Sequence, residues 1–139
     1  MDTTIKASLY KEKELLSSLL DNLDEQYSIL LSADKDAVVI CSISEKIDAI
    51  VKEIALTEIE RRKTISNEAL ILQAESTNDE DSLVLIKDIS KLKKLIEQQN
   101  EINSAFIKQN LFFTKKMLKM ITPGEKYETY NSSGKFGKQ

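Results

Sequence analysis

Apolar residues return along the chain at intervals of three, four and seven, the spacing that places side chains on one face of an α-helix. Ile5, Leu9, Leu16, Leu19, Leu23 and Leu30 form the first such line, with Glu12 and Gln26 occupying two of its positions. The pattern breaks around Ser32, Ala33 and Asp34, where Ser and Asp are suited to capping the start of a second helix. That helix carries a β-branched seam of Ile40, Ile43, Ile47, Ile50 and Ile54 and is expected to run to Glu75, loosening near Ser66 and Asn67. The polar stretch Ser76-Thr77-Asn78-Asp79 then turns the chain, with Thr77 and Glu80 spaced as a capping box. A third helix follows from about Glu80 to Ile121, stopped by Thr122-Pro123-Gly124.

Short connections make neighbouring helices antiparallel. The expected fold is therefore all-α: an antiparallel, coiled-coil-like three-helix bundle over 1–121, with helices at about 2–31, 34–75 and 80–121. Roughly 40 residues at about 1.5 Å each give rods of about 60 Å, so the bundle should be elongated. Core packing accounts for the stripes of the first two helices. The segment 122–139 holds the only Pro, all three Gly and few aliphatics, which predicts a flexible tail.

Composition narrows the chemistry. The 139 residues contain no His and no Trp, so the commonest general base and metal ligand is missing. Neither a phosphate-binding loop, a dinucleotide fingerprint nor a nucleophile elbow is present. An enzyme is not expected, and no cofactor or metal is called for. Cys41 is the single thiol, which rules out an intrachain disulfide and fits a reducing compartment. With Val38, Val39 and Ile40 as neighbours, it reads as a small core or half-buried residue. The acids Asp79-Glu80-Asp81 lack the Gly-turned loop of a cation site and read as favourable charge at a helix start. Met1 to Tyr10 lack the apolar core of a secretory signal, and no apolar run approaches the roughly 20 residues that span a bilayer. A soluble, cytoplasmic product is expected.

Charge is unevenly spread. Six Lys against Glu125 and Glu128 leave residues 115–139 at +4, so 1–114 carry −7 of the overall −3. Lys are too few, and unaccompanied by an aromatic platform, for nucleic acid to be a partner. The run Arg61-Arg62-Lys63 reads as a solvated helix face. Residues 108–121 also resemble a short basic amphipathic helix, but apolar residues intrude among its Lys, so membrane contact is expected only indirectly.

The third helix carries more apolar surface than a bundle needs. Counting about 100° per residue from Phe106, one arc collects Leu85, Leu92, Ile102, Phe106, Phe113, Met117, Met120 and Ile121. Ile107, Leu111 and Leu118 widen that arc, and Phe112 lies off it. An apolar sector near half the circumference exceeds the stripe of about 100° that packing requires. Where partner helices leave it bare, it is a docking strip, and the flexible Met117 and Met120 suit a surface that repacks around a partner helix. Gln99, Asn103 and Asn110 fall in the same arc, either as register-fixing buried amides or as solvated positions where the bundle splays.

Three segments together resemble the FlgN family of bacterial flagellar export chaperones. They are Leu56-Thr57-Glu58-Ile59-Glu60-Arg61-Arg62, Gln99-Asn100-Glu101-Ile102-Asn103 with Phe106-Ile107-Lys108-Gln109-Asn110-Leu111, and Tyr127-Glu128-Thr129-Tyr130-Asn131-Ser132-Ser133-Gly134. The similarity covers nearly the whole chain in the family's order, while the region around Gly137 has no counterpart. The resemblance implies a cytoplasmic chaperone that binds hook–filament junction proteins and delivers them to the flagellar type III export gate. It implies client contact through Phe106, Ile107, Leu111, Phe112, Phe113, Met117, Leu118, Met120 and Ile121. It also implies a gate contact through Tyr130, which precedes Gly134 by the motif's spacing, or through Tyr127. The alternative is a homotypic coiled-coil or helical-bundle adaptor without a secretion client. A stable, concentration-independent oligomer in light scattering would mark that case.

Overall fold

A computed structural model describes residues 2–32, 36–121, 128–130 and 136–138, with side chains described as far as Gln109. Four helices make up most of it: α1 (Thr3–Leu31), α2 (Ala37–Thr64), α3 (Asn67–Ser76) and α4 (Glu80–Ile121). The fold is all-α in its main body, as the periodicity predicts, but the expected helix count of three becomes four. Short strands β1 (Glu128–Tyr130) and β2 (Phe136–Lys138) pair antiparallel, Tyr130 opposite Phe136. This ladder lies in the stretch expected to be a flexible tail; the rest of that stretch lies outside the described residues. The chain separates into two compact units, 1–104 and 105–139.

In the first unit, α1 follows its sequence pattern closely. Its buried positions are Ile5, Leu9, Glu12, Leu16, Leu19, Leu23, Gln26 and Leu30, the polar pair included. Asp2 caps it, accepting from the Thr4 N–H at 2.7 Å. The next cap is Asp36, which accepts from the Val38 N–H at 2.9 Å, while Ser32 closes α1. On α2 only Ile43 of the isoleucine seam is fully buried; Ile40, Ile47, Ile50 and Ile54 are half-buried. Cys41 is exposed, contrary to the core or half-buried placement expected of it. One step round the helix from half-buried Ile40 turns its side chain away from the inward line.

The single helix expected over 34–75 is interrupted at Ile65-Ser66. Both residues are extended, and the break has two causes. Ile65 packs its branched side chain against the core cluster. Ser66 offers its hydroxyl to the Ala69 N–H at 3.2 Å and so starts a new helix. Arg61, Arg62 and Lys63 in the last turn of α2 complement its dipole. Ser66→Ala is expected to cost about 1 kcal/mol, the ordinary value of a lost N-cap, measured by chemical denaturation.

The turn into α4 also differs from the capping box expected at Thr77 and Glu80. Thr77 instead closes α3, and its hydroxyl donates to the Gln73 carbonyl at 2.7 Å. Asn78 takes the left-handed conformation (φ 53°), with Asn78 N–H bonded to Glu75 O and Asp79 N–H to Ala74 O. This Schellman arrangement needs a residue tolerant of positive φ, and Asn is one. Asp79 then caps α4, accepting from the Ser82 N–H at 3.3 Å. That N–H holds the Asp79 carboxyl below its ordinary value, and Lys6, 3.3 Å away, adds to the effect. A depressed value stabilises the fold above the ordinary aspartate range and loses that contribution as pH falls through the folded value. Charge at the helix start is thus what Asp79, Glu80 and Asp81 supply, as expected.

Contacts fix the helix directions. Lys6 meets Asp79, Lys13 meets Asp88 at 3.0 Å, and Asn103 meets Leu23 and Gln26. Residue numbers rise together in these pairs, so α1 and the first part of α4 run parallel. Arg61–Glu12 and Glu58–Lys93 bring the last turns of α2 against both of them. Ile5, Leu9, Leu16, Leu70, Leu85 and Ile89 form the main core, edged by Ile54, Ile65, Ile86, Leu92 and Ile96.

Candidate functional site

The docking strip expected on the last long helix is described only in part. Phe106 is half-buried, and Ile107 is 44 % exposed. Leu111, Phe112, Phe113, Met117, Leu118, Met120 and Ile121 lie on the backbone of α4, and their side chains are outside the described residues. Tyr130 lies in β1, and Tyr127 is outside the described residues. Within the first unit, Leu85 of the predicted arc is buried and Leu92 half-buried, whereas Ile102 is 45 % exposed.

The amides of this arc resolve into a layer. Asn103 is 1 % exposed, and its Nδ2 donates to Leu23 O and to Gln26 Oε1, each at 2.9 Å. Gln99 Nε2 donates to Asn103 Oδ1 at 3.0 Å. Of the two readings open from sequence, the buried, register-fixing one describes Asn103; Gln99 is half-buried, and the Asn110 side chain is outside the described residues. Two α4 amides and one α1 amide thus interlock across the parallel pair, which a purely aliphatic seam would leave free to slide.

A second polar group, nearer the opposite end of α1, was not visible as a site in the sequence. Glu12 is 1 % exposed and Arg61 5 %, their Oε2 and Nε 3.6 Å apart. Arg61 is therefore no part of a solvated face, unlike Arg62 and Lys63, which pair with Glu58 and Glu60 on the surface of α2. The seam of α2 explains this: its three-four spacing continues from Ile54 through Thr57 to Arg61, both buried. Lys93 of α4 bridges the group, 2.7 Å from Glu58 Oε1 and 3.4 Å from Glu12 Oε1.

Burial pushes the Glu12 carboxyl above its ordinary value, a hydrogen bond to Glu58 supports the protonated form, and Lys93 and Arg61 oppose both. For Glu58, burial also pushes upward, but hydrogen bonds from Glu12 and Lys93 with the Lys93 and Arg62 charges hold it below the ordinary value. When Glu12 is ionised, neither of its oxygens has a hydrogen-bond donor in place, and Arg61 Nε and Nη1 have no acceptor. The motif Thr57 to Arg62 thus builds a charged centre joining α1, α2 and α4.

Among the described residues no group of His, Cys, Asp and Glu could hold a metal ion, and no helix is long and apolar enough to cross a membrane. Neither curated proteins nor solved structures return a match to this chain. A model of the FlgN protein family matches residues 1–136, essentially the whole length. With its paired helices, its inward Thr57-to-Arg61 segment and the Asn103 layer falling inside that match, the chain belongs to the FlgN family of flagellar chaperones.

Proposed function

We propose that this protein is a cytoplasmic export chaperone that holds hook–filament junction proteins unassembled and delivers them to the flagellar type III export gate. Family membership supports the chaperone class. The observation that carries the mechanism is a line of exposed aliphatics on α4. Val84, Leu95 and Ile102 are exposed and stand eleven and seven residues apart. Eighteen residues make five helical turns, so these positions share one side of the helix. In the second unit, Phe113, Met117 and Met120 recur in sequence at spacings of four and three.

A client helix lays its own apolar face along Phe113, Met117 and Met120, as amphipathic helices do in a groove. Its self-associating surface is thereby covered until export. Phe106, Ile107, Leu111, Phe112, Leu118 and Ile121 complete the proposed surface. Tyr130, with Tyr127 beside it in sequence, is the proposed gate contact. Client and gate then use separate residues, so that one need not displace the other.

Phe113→Asp and Met117→Asp are each expected to lose co-purification with a hook–filament junction protein while far-UV helicity stays near wild type. Full complex formation by both variants overturns the assignment of the surface. Tyr130→Ala is expected to retain the client and lose the gate.

A further inference from the structure

A shallow groove follows the parallel α1–α4 pair of the first unit, and the residues proposed to hold a client, Phe106 to Ile121, form no part of it. Two depressions mark its course. One is lined by Lys13 and Ser17 of α1 with Asp88, Lys91, Leu92 and Leu95 of α4. The other shares Lys13 and Ser17 and reaches outward over α1 to Tyr10, Glu14 and Asp21. Val84 and Ile102 occupy the same side of α4 as Leu95, and these three with Tyr10 are 45–56 % exposed. The rims on either side of this apolar line carry opposite charge. Glu14 and Asp21 stand on the α1 rim; Lys91, with Lys87 one turn before it, stands on the α4 rim. All four are exposed, and none has an ion-pair partner among the described residues.

We infer that this groove is a self-association surface that seats a second copy of the chain in a parallel two-fold dimer. Charge and symmetry together select that occupant and that direction. Two copies placed face to face are related by a two-fold axis lying in the interface. An axis across the helices sets α1 against α1 and α4 against α4, so that acid meets acid and base meets base. An axis along the groove sets each α1 against the α4 of the other copy, and residues at one level then lie opposite each other. Levels follow from the contacts within one copy, where Lys13 pairs with Asp88 and Gln26 with Asn103. Glu14 therefore stands level with about residue 90 of α4, beside Lys91 and within a turn of Lys87. In the dimer each Glu14 meets Lys91 of the other copy, and the symmetry makes that contact twice. Leu95 and Ile102, seven residues apart, meet their own counterparts as layers of a parallel seam. The area suffices: α1 and α4 lie side by side over 80–104 of α4, about 37 Å, and two helices of about 10 Å width give about 700 Å² per copy. That is close to the roughly 800 Å² per partner of a specific complex. With only a few apolar groups inside charged rims, the dimer is weak, with a Kd on the order of 10⁻⁵ M.

The test is sedimentation velocity on the full chain from about 1 to 500 µM, a range that brackets this Kd. The wild type is expected to pass from one copy to two across the series. A monomer throughout, or an oligomer that does not dissociate on dilution, overturns the proposal. Leu95→Asp, Lys91→Glu and Glu14→Lys are each expected to weaken self-association at least about tenfold, with far-UV helicity near wild type. Lys91→Glu and Glu14→Lys mixed in equal amounts should associate again, because both charge pairs of the mixed dimer are then opposite in sign. Mixing repairs no packing defect, so this recovery is specific to the pairing. Single variants that associate like the wild type, or a mixture that stays monomeric, overturn it. Junction-protein binding should persist in Leu95→Asp. Its loss there, with self-association unchanged, assigns the groove to the client instead and also overturns the dimer. The client surface itself stands or falls separately, on Phe113→Asp.

Discussion

Replacing Arg61 by methionine is expected to destabilise the first unit by about 3–5 kcal/mol at neutral pH, because it strands a buried carboxylate. Glu12 keeps only Lys93 as a counter-charge, and Lys93 already stands closer to Glu58. Methionine fills much of the arginine stem's volume, so the loss is electrostatic more than steric. The paired variant Glu12→Leu/Arg61→Met should behave differently. It removes both charges together, leaves Lys93 with Glu58, and is expected to equal the wild type or exceed it by about 1–4 kcal/mol.

The pH dependence separates this explanation from a packing defect. Glu12 is already raised above its ordinary value of 4.5, with Arg61 one of the two cations opposing the rise. Without Arg61 it rises further. A raised carboxyl contributes its stability fully below the ordinary value and loses it as pH increases through the folded value. The deficit of Arg61→Met should therefore be small in acid and grow toward neutrality. Glu58, held low in part by its hydrogen bond from Glu12, works in the opposite sense and stays paired with Lys93 in every variant. Urea midpoints for wild type, both single variants and the pair, at acid and neutral pH, check this. A deficit that is flat with pH, or a pair no better than Arg61→Met, defeats the account.

Arg61 also marks where sequence reasoning stops. The eight inward positions of α1 were all legible, since seven-residue periodicity is a property of one helix alone. That Glu12 and Gln26 occupied two of them was legible too. What they do there was not, because each answers to a side chain on a different helix, Arg61 for one and Asn103 for the other. The three basic residues 61–63 look alike in a row; only extending the α2 seam beyond Ile54 assigns the first of them inward. The break at Ile65-Ser66 was legible only as a loosening near Ser66 and Asn67, for a similar reason. Helical propensity continues across it, and the pull of the core on Ile65 is tertiary. At the next turn, Thr77 and Asp79 are both good caps, and the left-handed Asn78 decides in favour of Asp79. The proposed client surface, Phe106 to Ile121, was legible as sequence spacing on the last part of α4.

Asn103→Leu is the second substitution with a large expected effect, about 2–3 kcal/mol, even though leucine is more hydrophobic. The new side chain fits a seam position, but it takes away both donors of Asn103 Nδ2 and the acceptor that holds Gln99. Gln26 Oε1 is then buried without a partner, and an orphaned acceptor costs about 1–3 kcal/mol, more than the burial of a few extra carbons returns at this site. For a unit of about 100 residues this lowers Tm by about 10 °C or more. Removing the partner as well reverses the sign: Gln26→Leu/Asn103→Leu leaves no orphan and should be at least as stable as wild type. What the pair loses is selectivity. With aliphatic residues at every inward position near this level, no buried amide there penalises a seven-residue slip of α1 along α4 or pairing with a second copy of the chain, and only the ion pairs nearer the start of α1, Glu12–Lys93 and Lys13–Asp88, still oppose it. The double variant should therefore melt high but elute as mixed oligomers or show doubled amide resonances. A monodisperse, singly folded double variant would mean that the Asn103 layer is not what sets the register.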